Sequence, residues 1–498
     1  MLFKLKITKT INIKTIQKKS ALVKCIVDNS NTELNFKKIF KDHNLEYSDY
    51  QKSYFLNKDN DELIVHNSKS KPDILFIKKV KLNKKFSVDF FRNYYAGLIQ
   101  KLQKQKLSYL YISLFEYKDL SEYFESETHY VQSCVEGILL GNYSFDKYRE
   151  RKKKQVTLNV VFEYGNKKVL DSAVKKAQTV IDAVSFARDL VNDPAISLTP
   201  SELFNRSKSN LANYGVKVTS INKKELEKKK MGGILAVGIG SDNPPQLIVL
   251  KYKPTGKAKK KIVLVGKGVT YDSGGYSIKP TDGMVDMKAD MGGAAVVVGA
   301  IKAAAESKLP VEIIGLIPAV ENMISGRSYK PGDIVTAYSG KTIEVKNTDA
   351  EGRIVLADAL TYASEFKPDE IIDFATLTGA ICVGLGLIPA GLFTVNDELS
   401  DALTKAGKKS YERLWRMPFW DDYKVLLKSE IADVSNIGPR WGGAITAGKF
   451  LEHFVDENIP WAHIDLAGPA LKNDYNNYTK KYDTAFGVRL MFEYLSNL

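Results

Sequence analysis

Val265-Gly-Lys-Gly-Val-Thr-Tyr-Asp-Ser-Gly-Gly-Tyr-Ser-Ile-Lys-Pro280 and Asn347-Thr-Asp-Ala-Glu-Gly-Arg353 are the two stretches on which the reading of this chain turns. A short β-branched run at 262–265 leads into the first. Helix-compatible sequence follows both, at 292–305, where it is Ala-rich, and at 354–366, with Arg353 at the beginning of the second helix. Further strand-like runs stand at 247–250 and 311–317. Strands regularly followed by helices imply a sheet covered on both faces, with sites at the carboxyl ends of its strands. Both stretches sit at such ends.

With the nearby Asp290, the two windows hold four carboxylates (Asp272, Asp290, Asp349, Glu351), two lysines (Lys267, Lys279) and Arg353 among many glycines. Four carboxylates converging in one pocket repel unless cations neutralise them. Two divalent ions match that charge, so the composition points to a dinuclear site. Asp349 and Glu351 are two apart, which in extended backbone turns both side chains the same way. Glycines let the backbone approach ions and substrate closely. Taken singly, Asp and Gly at strand ends are ordinary turn formers. A phosphate loop fails on spacing: Lys267 lacks a following Ser or Thr, and Ser339-Gly-Lys-Thr342 has Val335 where the leading Gly belongs. Only five histidines occur and no H-E-x-x-H, which excludes a conventional His-ligated zinc protease.

Working outward, apolar positions from Leu170 to Val191 follow helical spacing over six turns, and the helix stops before Asn192-Asp193-Pro194. Upstream, strand-like runs at 73–77, 109–113 and 156–162 alternate with helix-compatible segments, with no catalytic motif. The expected architecture is α/β in two domains. A smaller basic N-terminal α/β domain (1–165) is joined by a connecting helix (166–194) to a C-terminal catalytic α/β domain (195–498) with a central mixed sheet covered by helices. No 20–50-residue repeat occurs, so a solenoid is excluded. Leu5, Ile7, Ile11 and Ile13 alternate with Lys and Thr, which predicts an exposed strand pair in place of an Arg-rich transit helix.

The 498 residues are 44% apolar and 26% charged, outside the disordered, collagen-like and disulfide-scaffold classes. Apolar runs are strand-sized, which argues against a membrane span. Cys25, Cys134 and Cys382 are far apart and odd in number, which fits a reducing, cytoplasmic location and excludes a thiolate zinc site. The formal charge of +15 is uneven. Residues 1–170 carry 32 Lys and Arg against 19 Asp and Glu, and the remainder 41 against 39. A basic first third can bind nucleic acid. Against this, 62 of the 73 basic residues are Lys and 11 are Arg, whereas base readout favours Arg, so compositional drift also accounts for it.

The N-T-D-A-E-G-R window resembles the signature of the leucyl (cytosol) aminopeptidase family of dinuclear metallopeptidases. The likeness continues through Trp415-Arg-Met-Pro-Phe-Trp-Asp-Asp422, Asn436-Ile-Gly-Pro-Arg-Trp-Gly-Gly-Ala-Ile-Thr446 and His463-Ile-Asp-Leu-Ala-Gly468, covering roughly 185–498. Ala195-Ile-Ser departs from the family's Asn-containing loop, outside the metal set. The resemblance implies a metal-dependent aminopeptidase that removes an N-terminal residue, preferably Leu or Met, by attack of a water bridging two divalent ions (Mn²⁺ or Zn²⁺). It implies Asp272 and Glu351 as bridging ligands, Asp349 on one ion, and Lys267 with Asp290 on the other. Lys279 and Arg353 become the catalytic residues, with bicarbonate held at Arg353 as proton shuttle. Met287, Thr376, Gly379 and Ala467 become the side-chain pocket. The family also implies peptide substrates and a homohexamer. Two other readings remain: a DNA-binding protein acting through residues 1–165 with peptidase activity secondary, and a two-metal phosphoesterase, which an apolar pocket disfavours.

Overall fold

The computed structural model describes residues 2–8, 11, 16–67, 71–84, 86–103, 105, 107–150 and 157–498. The chain forms two compact units, Met1–Ile181 and Asp182–Leu498. Their division falls inside one helix, Lys167–Asn192, which ends just before Asp193-Pro194.

In the first unit, strands β1 (Leu2–Thr8), β2 (Ser20–Val27), β3 (Glu62–His66), β4 (Ile74–Val80), β5 (Tyr109–Ser113) and β6 (Thr157–Glu163) form one sheet in the order β1-β6-β5-β2-β4-β3. Every pairing is parallel except β3 with β4. Period-two alternation sorts the side chains. Ala21, Val23, Phe76, Leu110 and Ile112 pack with Phe91, Tyr95 and Tyr130 on one face. Leu22, Ile26, Leu75 and Ile77 pack with Phe36, Phe40 and Phe55 on the other. Of the expected N-terminal strand pair, the first strand is β1, which stops at Thr8 and pairs in parallel with the distant β6, and the second falls largely on residues 9–10 and 12–15, outside the described residues. Strand alternation gives the face a residue occupies but not the partner strand.

The second unit holds a nine-stranded mixed sheet. Its strands are β7 (Lys217–Ile221), β8 (Gln246–Tyr252), β9 (Lys261–Gly266), β10 (Gly268–Asp272), β11 (Glu312–Asn322), β14 (Glu370–Ala375), β15 (Ala390–Phe393), β16 (Leu414–Arg416) and β18 (Trp461–Asp465). The order is β16-β15-β18-β14-β9-β11-β8-β7, with β10 continuing beside β11. A small sheet adds β12 (Ile334–Thr336), β13 (Thr342–Glu344) and β17 (Val434–Ser435). At the sheet centre β9, β11, β14 and β18 run parallel, so their carboxyl ends open on one edge. Val263, Val265, Ile314, Leu316 and Ile371 pack against the helix Glu351–Ser364. The helix Gly292–Glu306 lies against the sheet at Gly315, where a Cβ would meet Ile301 and Val297. The α/β class with a central mixed sheet covered by helices is therefore what the chain adopts. Among the described residues no helix is long and apolar enough to cross a membrane.

One carboxylate pins the site-bearing helix from behind. Asp358 is fully buried and accepts N–H bonds from Ile234 (2.9 Å) and Tyr338 (2.7 Å). Burial raises its pKa to about 7, against those bonds. A carboxyl whose folded pKa lies above its unfolded value binds protons preferentially in the folded state, so its contribution falls as pH rises from about 4 to about 7. Asp358→Asn is expected to flatten this part of the pH–stability curve. Urea melts across that range check it, and an unchanged slope would contradict the assignment.

Candidate active site

Lys267 follows β9 directly; its N–H continues the sheet by donating to Phe374 O of β14 (2.9 Å), and its carbonyl accepts from Ala294 of the helix Gly292–Glu306 (2.9 Å). The chain then runs through β10 to Asp272, turns at Gly274 and Gly275, and reaches Lys279. Both glycines have positive φ (+86° and +61°). A Cβ at Gly274 would lie 2.5 Å from Ser277 O and 2.9 Å from Asp349 Oδ1, so only glycine fits. Thr348 stitches the two windows together. Its hydroxyl donates to Gly274 O (2.6 Å) and accepts from the Ser277 N–H (2.8 Å). Asn322, at the end of β11, donates to both Asp272 Oδ1 (2.8 Å) and Thr348 O (2.9 Å).

The charged groups interlock as two clusters. The Lys267 ammonium lies 2.7 Å from Asp290 Oδ2 and 2.8 Å from Glu351 Oε1, and donates to Thr376 O (3.1 Å). The Lys279 ammonium lies 2.9 Å from Asp272 Oδ2 and 2.5 Å from Asp349 Oδ1. Carboxylate oxygens of Asp272, Asp290 and Glu351 come within 4.8 Å of one another, all buried. Burial raises the pKa of Asp272, Asp290 and Asp349. It lowers those of Lys267 and Lys279, but the facing carboxylates more than reverse this and both end above the usual lysine value. Glu351 Oε2 and Asn322 Oδ1 are buried without a hydrogen-bond partner. Four carboxylates against two ammonium groups leave an excess of negative charge in a largely buried place, and an oxygen-rich donor set with one amine suits hard or borderline divalent cations.

Arg353 donates Nη1 to Asn436 O (2.8 Å), while its buried Nε has no hydrogen-bond partner. Burial pushes its pKa down to about 10, still cationic at neutral pH. Two sequence-based expectations are corrected here. Asp349 and Glu351 do not share extended backbone: Asp349 lies in a turn and Glu351 opens the helix Glu351–Ser364, which sends their carboxylates to different lysines. The helix read at 354–366, with Arg353 at its beginning, starts at Glu351, so Arg353 lies within its first turn. Glu351 faces Lys267 and Arg353 bonds Asn436, so neither contributes to an apolar stripe.

Residues 185–492 match the cytosol aminopeptidase family, catalytic domain. The chain belongs to this family. A probable cytosol aminopeptidase of Chloroherpeton thalassium is 45% identical over 435 residues, 84% of this chain and 85% of its own. That of Aquifex aeolicus is 41% identical over 430 residues, 85% of this chain and 84% of its own. Among solved structures, a mutant of tomato leucine aminopeptidase aligns with a TM-score of 0.87 and 33% identity, over 100% of this chain and 97% of the other. The bottromycin maturation enzyme BotP in complex with Mn gives 0.82 and 29%, over 96% and 98%. The chain is thus an enzyme, an aminopeptidase of the cytosol aminopeptidase family.

The structure brings Lys267, Asp272, Lys279, Asp290, Asp349 and Glu351 together. Of the expected pocket residues, Thr376 donates its hydroxyl to Asp290 Oδ1 (2.9 Å), and Met287 lies one short turn before Asp290. Gly379 and Ala467 open two short helices on neighbouring loops. Sequence reasoning missed Asn322, Thr348 and the carbonyl of Thr376, whose single polar atoms carry no spacing signal. It also passed over Gly352, whose absent side chain makes room for Lys267: a Cβ there would lie 2.5 Å from Cε and 2.7 Å from Nζ. Gly352→Ala is therefore expected to displace the lysine by about 1 Å and lower kcat by about 10²-fold in a folded protein. Steady-state kinetics with circular dichroism checks this, and wild-type turnover would contradict it.

Proposed function

We propose that this aminopeptidase removes the first residue of peptides with two divalent cations, manganese or zinc, held at the carboxylate cluster. The observation that carries the reading is the buried negative excess, with an unpartnered Glu351 oxygen inside it. The manganese named with the related maturation enzyme supports it. In this reading Asp272 and Glu351 would be shared between the two cations, Asp349 would help hold one, and Lys267 with Asp290 the other. Lys267 enters such a set only as a neutral amine, which a neighbouring dication makes accessible. Bound there, the cations supply Lewis acidity and a water acidic enough to be a nucleophile near neutral pH.

This chain's own residues do the rest. Asp290 pairs with the substrate's free amino group, which restricts cleavage to the first residue. Lys279, kept cationic by the carboxylates beside it, donates to the oxyanion that develops on the scissile carbonyl. Arg353, with a free buried Nε–H in the first turn of a helix, would hold an anion such as bicarbonate, which would supply a proton acceptor there. Met287, Thr376, Gly379 and Ala467 line a small apolar pocket suited to Leu or Met; the space around Gly379 is open for 4 Å. Homohexameric assembly and a cytoplasmic location belong to the same reading, supported by the resemblance and by relatives described as cytosol aminopeptidases. The lysine surplus of residues 1–170 supports a second reading, DNA binding by this region, which a salt-dependent gel shift of the whole protein would reveal.

Hydrolysis of a leucyl amide is expected to vanish on chelation and return with Mn²⁺ or Zn²⁺. Activity that survives with metal content below about a tenth of an equivalent would sink the metal reading. Arg353→Ala is expected to keep its metals and substrate KM while losing about 10²–10⁴-fold in kcat, the usual worth of a positioned proton acceptor. Added bicarbonate should accelerate degassed wild type and leave the variant unmoved. A wild type indifferent to bicarbonate would remove the anion role.

A further inference from the structure

The geometry points to Asp465 as the residue that fixes the shape of the substrate side-chain pocket, a positioning residue that acts through the two loops it ties together. The inference rests on the pocket reading given above. Asp465 ends β18 in parallel register with Ala375 at the end of β14, and it is completely buried. Its Oδ1 accepts the backbone N–H groups of Leu377 (3.2 Å) and Ala467 (3.3 Å), and its Oδ2 accepts the hydroxyl of Thr378 (2.7 Å). The Thr378 hydroxyl oxygen in turn accepts the Ile381 N–H (3.1 Å), which caps the helix Gly379–Leu385.

One carboxylate therefore joins the loop after β14 to the loop after β18, and these loops carry Thr376, Gly379 and Ala467, three of the four pocket residues. The first loop is also registered to the charged cluster. Thr376 gives its carbonyl to Lys267 Nζ (3.1 Å) and its hydroxyl to Asp290 Oδ1 (2.9 Å). The pocket walls are thus placed at a set distance from the reacting centre, with Asp465 closing the frame on the far side. A hydrophobic pocket distinguishes side chains by only about 10–200-fold per methylene, so small slack between its walls erases the distinction. Asp465 meets hydrogen-bond donors of the two loops and forms no ion pair among the described residues, with His463 and Arg353 acting on it only through space, so its role here is carried by geometry.

The test compares kcat/KM on leucyl and alanyl amides for wild type, Asp465→Ala, Asp465→Asn and Thr378→Val, with metal content and Tm measured on each. Alanine at 465 leaves two N–H groups and one hydroxyl unpaired. Asparagine keeps the frame, because its carbonyl accepts both N–H groups and its amide donates to the Thr378 hydroxyl. Valine at 378 removes the Oδ2 contact and the helix cap while leaving Asp465 in place. The leucyl-to-alanyl ratio is expected to fall about tenfold in Asp465→Ala and Thr378→Val, through a higher KM for the leucyl amide, and to stay close to wild type in Asp465→Asn. Metal content is expected to be unchanged throughout. A preserved ratio in folded, metal-replete Asp465→Ala and Thr378→Val would overturn the inference even if Tm fell, because Asp465 would then act on stability alone. Should Asp465→Ala not fold, Thr378→Val decides by itself. A wild type with no preference for the leucyl amide would overturn the pocket reading first, and this inference with it.

Discussion

Two lysine ammonium groups set among four carboxylates, all buried except the partly exposed Lys279 and Asp349, are the interaction around which the catalytic unit is organised. Removing one member of a buried ion pair commonly costs about 3–5 kcal/mol, because the partner is left charged and unsolvated. Lys267 and Lys279 each face two carboxylates, so neither cluster closes with the protein's own charges. The surrounding chain keeps these like charges together. Asn322 and Thr348 bind the turns that carry them, and the parallel strands β9, β11 and β14 bring those turns to one edge of the sheet.

Close backbone approach is the second condition. At Gly293 a Cβ would lie 2.0 Å from Phe374 O, so the helix Gly292–Glu306 sits directly on the strand that bonds Lys267. Gly352 opens the space for the lysine side chain and Gly274 the space for Asp349. The many glycines of the two windows are therefore contact surfaces as much as turns. Arg353 belongs to the same logic: a buried guanidinium whose Nε has no partner, on a helix whose first residue is itself part of the charged cluster.

Much of this architecture is legible in the amino-acid sequence alone. Residues 109–113 become β5, the six-turn pattern becomes the helix Lys167–Asn192, and the carboxylates and lysines of the two windows do converge. These signals are local, carried by alternation, helical spacing or clustered charge. The features that sequence does not reveal depend on pairing between distant segments. The partnership of β1 with β6 and the bridging role of Asn322 arise when separate strands meet. The start of the helix at Glu351 is hidden because its first turn is polar for the sake of the site, which breaks the apolar periodicity that reveals a helix. Asp465 stands inside the family-like stretch His463–Gly468, yet its partners Leu377 and Thr378 lie almost ninety residues earlier in the chain.

The central claim is that the excess of buried carboxylate exists to hold cations. Anomalous diffraction from crystals grown with manganese, collected on both sides of its absorption edge, tests it most directly. The account predicts two anomalous peaks per chain, roughly 3.5–4 Å apart as in other two-metal sites. One should lie beside Asp349, the other beside Lys267 and Asp290, with Asp272 and Glu351 between them. A map without peaks there, with both lysines still paired to the same carboxylates, would contradict it.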